Sequence, residues 1–379
     1  MSSYQAGIDV LSGQGFASIR GKRIGLLTNP AAVDARYTST YHLLASAPGV
    51  SIAALFGPEH GFSGSAAAGQ HIVDGRDPRT GAPVYSLYGE TLHPTATMLD
   101  GLELMVCDLP DIGVRYYTYL WTLFYLLQGA GAAGLPVLLL DRPNPLGRVV
   151  RGPLIEPSLY SIVGAAPVPI CHGMSIGELA MMLNAQWNPH PADLTIIRCT
   201  GYDPADPPTD LRWAAPSPNM PHPLTARHYP GSCLVEGTNL SEGRGTALPF
   251  EIVGAPWVEG ELLASALNEW ALPGVRFRPI QFQPSASKWA GETCGGVQAH
   301  LTDAVIYDPL LAWLMVIVTI RRLYPAQYAW DTAHFDRLIG SATVREQIET
   351  EAEVGAICAG WQAAEAGFEQ SREPYLLYR

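Results

Sequence analysis

Charge is scarce in this sequence. Only 15% of its 379 residues are Asp, Glu, Lys or Arg, and 47% are hydrophobic. That composition excludes the disordered class, which combines few apolar residues with much charge. Basic residues are scarcer than acidic ones, and the net charge of −12 repels phosphate backbones and argues against nucleic-acid partners. Long apolar runs are missing too. The longest, Leu310 to Ile320, falls short of the roughly 20 residues that cross a bilayer. It is bracketed by Asp308-Pro309 and Arg321-Arg322, so it reads as a buried helix with a cationic last turn, and no membrane partner is expected. The opening residues lack the charged-then-apolar pattern of an export signal. The six cysteines include no C-x-x-C pair, so reduced thiols and a cytoplasmic protein are the expectation. No H-E-x-x-H or calcium-loop pattern occurs, and neither metal nor cofactor is expected.

Glycine (38) and proline (32) are plentiful but not periodic, which means many shaped loops and no repeat architecture. Between them the first half alternates apolar runs with helical stretches. Arg23–Thr28, Ser51–Phe56, Leu102–Cys107 and Pro136–Asp141 read as strands. Tyr37–Ala47, Tyr119–Gly129 and Met174–Trp187 read as helices. Continuous apolar strands separated by helices predict a parallel sheet buried on both faces, with right-handed crossovers. The Pro-rich stretch from Tyr202 to Tyr229 reads as a long ordered loop. Beyond it, helices at Glu259–Trp270 and Leu310–Tyr324 and strands at Val275–Gln283 and Gly296–Thr302 predict a smaller α/β (α+β) domain, followed by a helical tail from Phe335. The expected organisation is a Rossmann-like α/β domain over 1–228 and an auxiliary domain over 229–379.

In an open parallel sheet, ligands bind beyond the carboxyl ends of the strands. The four predicted strands lead into Thr28-Asn29-Pro30, Gly57-Pro-Glu59-His60-Gly-Phe62, Asp108-Leu-Pro-Asp111-Ile-Gly-Val-Arg115-Tyr116-Tyr117-Thr118 and Asp141-Arg-Pro-Asn144-Pro145. These loops concentrate the charge of a charge-poor protein on one predicted rim. Further polar loops are His172-Gly-Met174, Ser217-Pro-Asn219-Met-Pro221 and Glu236-Gly-Thr-Asn239-Leu-Ser-Glu242-Gly-Arg244-Gly-Thr246. The last has almost no apolar content, so it is either a solvated loop or one that grips a ligand.

Two familiar patterns are rejected on context. Gly129-Ala-Gly131-Ala-Ala-Gly134 matches G-x-G-x-x-G but follows a helix and precedes a strand, the reverse of a dinucleotide fingerprint; it reads as a helix end and turn. Gly173-Met-Ser175-Ile-Gly177 matches the nucleophile elbow of serine hydrolases. The segment before it carries two prolines, a poor central strand, while Ser175 and Glu178 form a capping box before an apolar helix.

The rim motifs together, from Gly57–Phe62 through Asp108–Thr118, Asp141–Pro145, Ser217–Pro221 and Glu236–Thr246, resemble the NamZ-type exo-β-N-acetylmuramidases, and the likeness runs over nearly the whole chain. The resemblance implies a Rossmann-like domain, a smaller second domain and an active site in the cleft between them. It implies release of non-reducing-end N-acetylmuramic acid (MurNAc) from peptidoglycan-derived saccharides. A serine hydrolase using Ser175 and a non-catalytic muropeptide-binding protein are the competing readings.

Glycoside hydrolysis requires an acid to protonate the leaving oxygen. Glu59 is the leading candidate, since Phe56 and Phe62 flank it and a partly apolar setting favours a neutral acid; the bland reading is a surface carboxylate. Glu242, Asp108, Asp111 and Asp141 compete for the second role, as nucleophile, as base for water, or as the group that orients the substrate's own acetamido oxygen for attack, although an Asp that ends a strand commonly caps the next loop. His60 and His172 orient carboxylates or bind hydroxyls, or are structural. Arg115 and Arg244 suit the lactyl carboxylate of MurNAc, or pair with nearby acids. Tyr116 suits a sugar face, or the core. Asn29, Asn144, Asn219 and Asn239 suit sugar hydroxyls, or turns.

Overall fold

The apolar runs of the first half do become a parallel sheet. The computed structural model describes residues 4–64, 75–207 and 212–378. Its first elements are α1 (Gly7–Gly13), β1 (Arg23–Thr28), α2 (Thr40–Ser46), β2 (Ser51–Gly57), β3 (Gly75–Arg76), β4 (Pro83–Ser86), α3 (Ala96–Leu99), β5 (Leu104–Asp108), α4 (Tyr119–Ala132) and β6 (Val137–Leu140). Then come β7 (Val150–Arg151), β8 (Cys171–His172), α5 (Ile176–Gln186) and β9 (Leu194–Ile197). The main sheet runs β3-β4-β2-β1-β5-β6-β9. All its neighbours pair in parallel except β3 with β4. Counted among the parallel strands alone, that order is 3-2-1-4-5-6, the doubly wound Rossmann order. Chain direction across the sheet reverses between β1 and β5, so their carboxyl ends open the crevice where such folds bind ligands.

Residues of β5 and β6 are all buried, as are the last five of β1. This is why they read as unbroken apolar runs and not as alternating ones. Helix α4 buries nine side chains, including Trp121 and Phe124. The Gly129–Gly134 segment ends it as expected: Ala133 is the C-cap and Gly134 is left-handed at φ 65°. Ser175 caps α5, accepting from the Glu178 N–H while the Glu178 carboxylate accepts from the Ser175 N–H.

The second half adds α6 (Pro223–Ser232), β10 (Ile252–Ala255), α7 (Gly260–Glu269), β11 (Val275–Phe282), β12 (Cys294–Leu301) and α8 (Pro309–Leu323). Helices α9 (Thr332–Ile339), α10 (Ala342–Glu349), α11 (Val354–Ala359) and α12 (Gln362–Arg372) complete the chain. Strands β10, β12 and β11 form an antiparallel sheet in that order. The apolar run before Arg321-Arg322 is a buried helix, α8, capped by Asp308 through the N–H groups of Leu310 and Leu311. The Pro-rich stretch departs from the expected loop in one place. Pro223 starts α6, where a missing N–H costs nothing, and the helix also tolerates Pro230. Residues 208–211 of that stretch lie outside the described residues.

The chain divides into two compact units, one of residues 4–149, 172–223 and 370–378 as described, the other of 150–171 and 224–369. Two segments therefore change sides relative to a single cut at 228/229. Arg151 pairs with Asp308 and Glu365 of the second unit, and the Tyr378 hydroxyl is bonded to Asp141 of the first. No helix among the described residues is long and apolar enough to cross a membrane.

Candidate active site

The β2 carboxyl end is shaped by backbone geometry. Gly57 must be glycine, because a Cβ there would lie 2.3 Å from the Phe62 nitrogen. His60 (φ 70°) and Gly61 (φ 74°) are both left-handed, which folds the loop back so that Phe62 packs edge-on against Tyr41 at 5.1 Å. A left-handed His is uncommon, and it holds Glu59 at the rim. The Thr118 hydroxyl, at the mouth of α4, donates to Glu59 Oε2 at 2.8 Å. Tyr119, one residue on, has its phenol raised by burial and by the Glu59 carboxylate, so it stays neutral. Its hydroxyl donates to the Pro216 carbonyl at 2.5 Å, and Asn29 Nδ2 donates to the Tyr119 oxygen and the same carbonyl, each at 2.9 Å. Asn29 thereby ties the β1 end to the loop that carries Ser217 and the half-buried Asn219.

The loop after β5 supplies a second acid. Asp111 is buried; its Oδ2 accepts from the Gly113 N–H at 2.9 Å and lies 3.3 Å from His172 Nε2. His172 Nδ1 accepts from the Met174 N–H at 3.3 Å, and its buried Nε2 makes no hydrogen bond. Asp111 Oδ1 is buried and makes no hydrogen bond. The Tyr117 and Tyr119 rings meet at a 55° tilt with centroids 4.8 Å apart. Burial holds the Tyr117 phenol far above its ordinary value, with Tyr119 and Asp111 adding to the rise and Ser217 opposing it. Arg115 and Tyr116 are fully buried beneath this loop, and the Trp121 indole donates to the Arg115 carbonyl at 2.7 Å.

The other rim acids are bound up in the fold. Asp108 takes a two-pronged ion pair from Arg142, 2.5 Å to Nε and 2.8 Å to Nη2, and also accepts from the Thr40 hydroxyl. Asp141 is buried and accepts from the Arg142 N–H, the Ser175 hydroxyl, the Gly177 N–H and the Tyr378 hydroxyl, all within 2.9 Å. Burial nevertheless raises its carboxyl to about 6, with the hydrogen bonds pulling the other way. A folded value above the unfolded one stabilises fully below about pH 4 and is lost as the pH climbs through about 6. In thermal melts from pH 4 to 7, the Tm advantage of the wild type over Asp141→Asn should therefore shrink. Asn144 is likewise internal, donating to the Gly147 and Met174 carbonyls and accepting from the Leu146 N–H. Ser175, buried between Asp141 and the α5 cap, is not poised as a nucleophile. Ser175→Ala should lower stability by about 1–2 kcal/mol, the cost of a lost cap, and leave turnover per folded molecule unchanged, checked by denaturation alongside rate assays.

In the second unit, Glu242 is buried, 3.3 Å from Arg244 Nε and 3.3 Å from Lys288 Nζ. Arg244 also grips Glu236 at 2.6 Å and lies over the Phe250 ring at 4.9 Å. Burial works against the charged form of Glu236, but Arg244 and His334 outweigh it and hold the carboxyl below its usual range. Lys288 donates to the carbonyls of Val235, Glu236 and Leu240, and the Trp289 indole to that of Asn239. The Asn239 side chain is anchored to Gln327 and Ala329. The Glu236–Thr246 loop is thus rigid, and Arg244 is in an ion pair.

Two family profiles cover this chain: "Exo-beta-N-acetylmuramidase NamZ, N-terminal" matches residues 24–224 and its C-terminal counterpart matches 227–378. The chain belongs to the NamZ exo-β-N-acetylmuramidase family. A relative from Bacillus subtilis (strain 168), the peptidoglycan beta-N-acetylmuramidase NamZ, is 42% identical over 99% of this chain and 91% of its own length. Two solved DUF1343 family proteins from Bacteroides fragilis NCTC 9343 share the fold, each over 100% of this chain and 99% of its own. One has TM-score 0.92 at 35% identity, the other 0.79 at 29%.

Within this NamZ-family chain, sequence reasoning missed Thr118, Tyr119, Lys288 and His334. Thr118 had a signal: a hydroxyl residue directly before an apolar helical run commonly stands at a cap, here one that points at Glu59. Lys288 and His334 had none, because their partners lie about 50 and 98 residues away.

Proposed function

We propose that the protein is an exo-acting glycoside hydrolase that removes non-reducing-end β-linked MurNAc from peptidoglycan fragments, with Glu59 as general acid. Membership of the family and the 42% identity to the B. subtilis enzyme support the reaction. The observation that carries the assignment to Glu59 is its setting: an acid beside the sheet's switch point, oriented by the Thr118 hydroxyl and flanked by neutral tyrosines. Thr118 fixes the carboxyl, and Glu59 protonates the departing glycosidic oxygen.

Glycoside hydrolysis takes a second acidic group. Asp108 and Asp141 are held by internal partners; Glu242 also keeps an oxygen without a hydrogen bond but belongs to the second unit and is ion-paired with Arg244 and Lys288, whereas Asp111 has such an oxygen at the sheet's rim, with His172 3.3 Å away. Asp111 is therefore the second rim carboxylate, the acceptor for a polar group of the sugar such as the acetamido N–H. Asp111→Asn should lower kcat/KM for MurNAc glycosides at least about tenfold, the loss of one charge-assisted hydrogen bond, with melting temperature nearly unchanged.

The reaction itself is tested with a chromogenic MurNAc β-glycoside and its N-acetylglucosamine counterpart. Release from the first and not the second is expected; no release from either contradicts the reading. A cytoplasmic location is proposed with it, supported by six cysteines that are all buried and unpaired. Six reactive thiols in protein unfolded without reductant would agree; fewer would speak for an oxidising compartment.

A further inference from the structure

Arg372 ends α12 and falls within the C-terminal family profile, yet it belongs to the first unit. Its side chain is buried. Nη1 donates to two successive carbonyls, those of His172 at 3.0 Å and Gly173 at 2.7 Å, and Nη2 donates to the Arg148 carbonyl at 3.3 Å. A cation in a last turn ordinarily complements its own helix. Here an acceptor lies 200 residues away in sequence, so the guanidinium serves a different segment. The backbone is shaped around that contact. Gly173 is left-handed at φ 62°, and a Cβ on it would lie 2.1 Å from Arg372 Nη1 and 2.5 Å from the Arg148 carbonyl oxygen. The chain beyond Arg372 is fastened as well. Glu178 Oε1 accepts from the Leu377 N–H at 2.7 Å and the Tyr378 N–H at 3.2 Å, and the Tyr378 hydroxyl donates to Asp141. Arg372 is therefore a braced strut and not a loose terminal side chain.

The clamped peptide carries His172 to the Asp111 turn. The His172 N–H donates to the Gly113 carbonyl at 3.4 Å, and the Gly113 N–H donates to Asp111 Oδ2 at 2.9 Å. His172 Nε2 lies 3.3 Å from that same oxygen. Asn144 joins the two segments: its amide donates to the Met174 carbonyl at 2.9 Å, and its Oδ1 lies 2.2 Å from where a Cβ on Gly113 would stand. We propose that Arg372 is a positioning residue of the glycosidase site. It holds the His172–Gly173 peptide, and through that peptide it sets the place of the Asp111 carboxylate. The inference rests on the role given above to Asp111. A guanidinium suits the task, because its planar fork donates in fixed directions and stays charged at every working pH. A lysine would put a rotatable point charge there instead. Misplacing a reacting or binding group by about 1 Å can cost about a hundredfold in rate, so a strut remote from the substrate has leverage on turnover.

The test is a double-mutant cycle on the full chain, read as kcat/KM for a chromogenic MurNAc β-glycoside per folded molecule. Arg372→Lys keeps the charge and loses the fork. It should cost about tenfold when Asp111 is intact. In the Asp111→Asn background it should cost less than about twofold, because the carboxylate it positions is already gone. Arg372→Ala is the second variant, and it carries the test if Arg372→Lys does not fold. Its activity should partly return on adding guanidinium ion at a non-denaturing concentration, and not on adding ammonium. A purely structural arginine would cost the same in both backgrounds. Equal losses in the two backgrounds, wild-type kcat/KM in Arg372→Lys, or no return of activity with guanidinium overturns the proposal. Failure of the Asp111 reading looks different: Asp111→Asn alone would then keep full activity, and the proposal would fall with it before Arg372 is changed.

Discussion

Glu59→Gln should reduce release of MurNAc from a natural disaccharide by about 10²–10⁴-fold, the usual contribution of a positioned general acid. The fold should not suffer. Glu59 is only half-buried, and the Thr118 hydroxyl that donates to Oε2 can donate to an amide oxygen equally well. The loss should fall on kcat more than on KM, because protonation of the leaving oxygen is an interaction made in the transition state. Rates measured against substrate concentration, with melting temperatures on the same samples, check both parts. A variant that keeps wild-type kcat removes Glu59 from the mechanism.

Asp108→Ala has an effect of similar size on a different quantity. Asp108 has no solvent exposure and holds Arg142 by both nitrogens, while Arg142 reaches on to the Val33 carbonyl. Removing one partner of a buried pair leaves the other charge uncompensated, at a cost of about 3–5 kcal/mol. That is a large part of the total stability of an ordinary domain. Denaturant unfolding of the variant should show the loss as a lower midpoint, while any folded fraction retains its turnover per molecule. Asp108→Leu combined with Arg142→Met, which removes both charges, should recover part of the loss. A variant of normal stability and no activity would instead return Asp108 to the catalytic group.

Asp108 and Asp111 show where sequence reading stops. Both follow apolar strands, both stand beside prolines or in polar loops, and one residue type serves for either role. What separates them is tertiary: Asp108 meets Arg142, 34 residues on, and Thr40, 68 residues back, whereas Asp111 three positions later meets His172. No local pattern carries that distinction. The sheet was more legible, because a strand buried on both faces has to be apolar along its buried stretch, as Ile24–Leu27 of β1, Leu104–Cys107 of β5 and all of β6 are. Strand β9 escaped because it is four residues long and mostly half-exposed, too short for periodicity to register. Helix α6 escaped because proline density was read as loop, although Pro223 occupies the first turn where proline is at home. The exchange of the 150–171 and 370–378 segments between units depends on contacts such as Arg151 with Asp308, 157 residues apart.

The central claim is that Glu59 gives a proton to the departing oxygen, and the dependence of rate on the leaving group tests this most directly. Compare wild type and Glu59→Gln on a MurNAc–sugar disaccharide, whose leaving alkoxide needs protonation, and on a 4-nitrophenyl MurNAc glycoside, whose phenolate leaves without it. The account predicts a loss of about 10²–10⁴-fold on the disaccharide and a far smaller loss on the nitrophenyl glycoside. Equal losses on the two substrates would contradict it and make Glu59 a residue that binds or attacks the sugar.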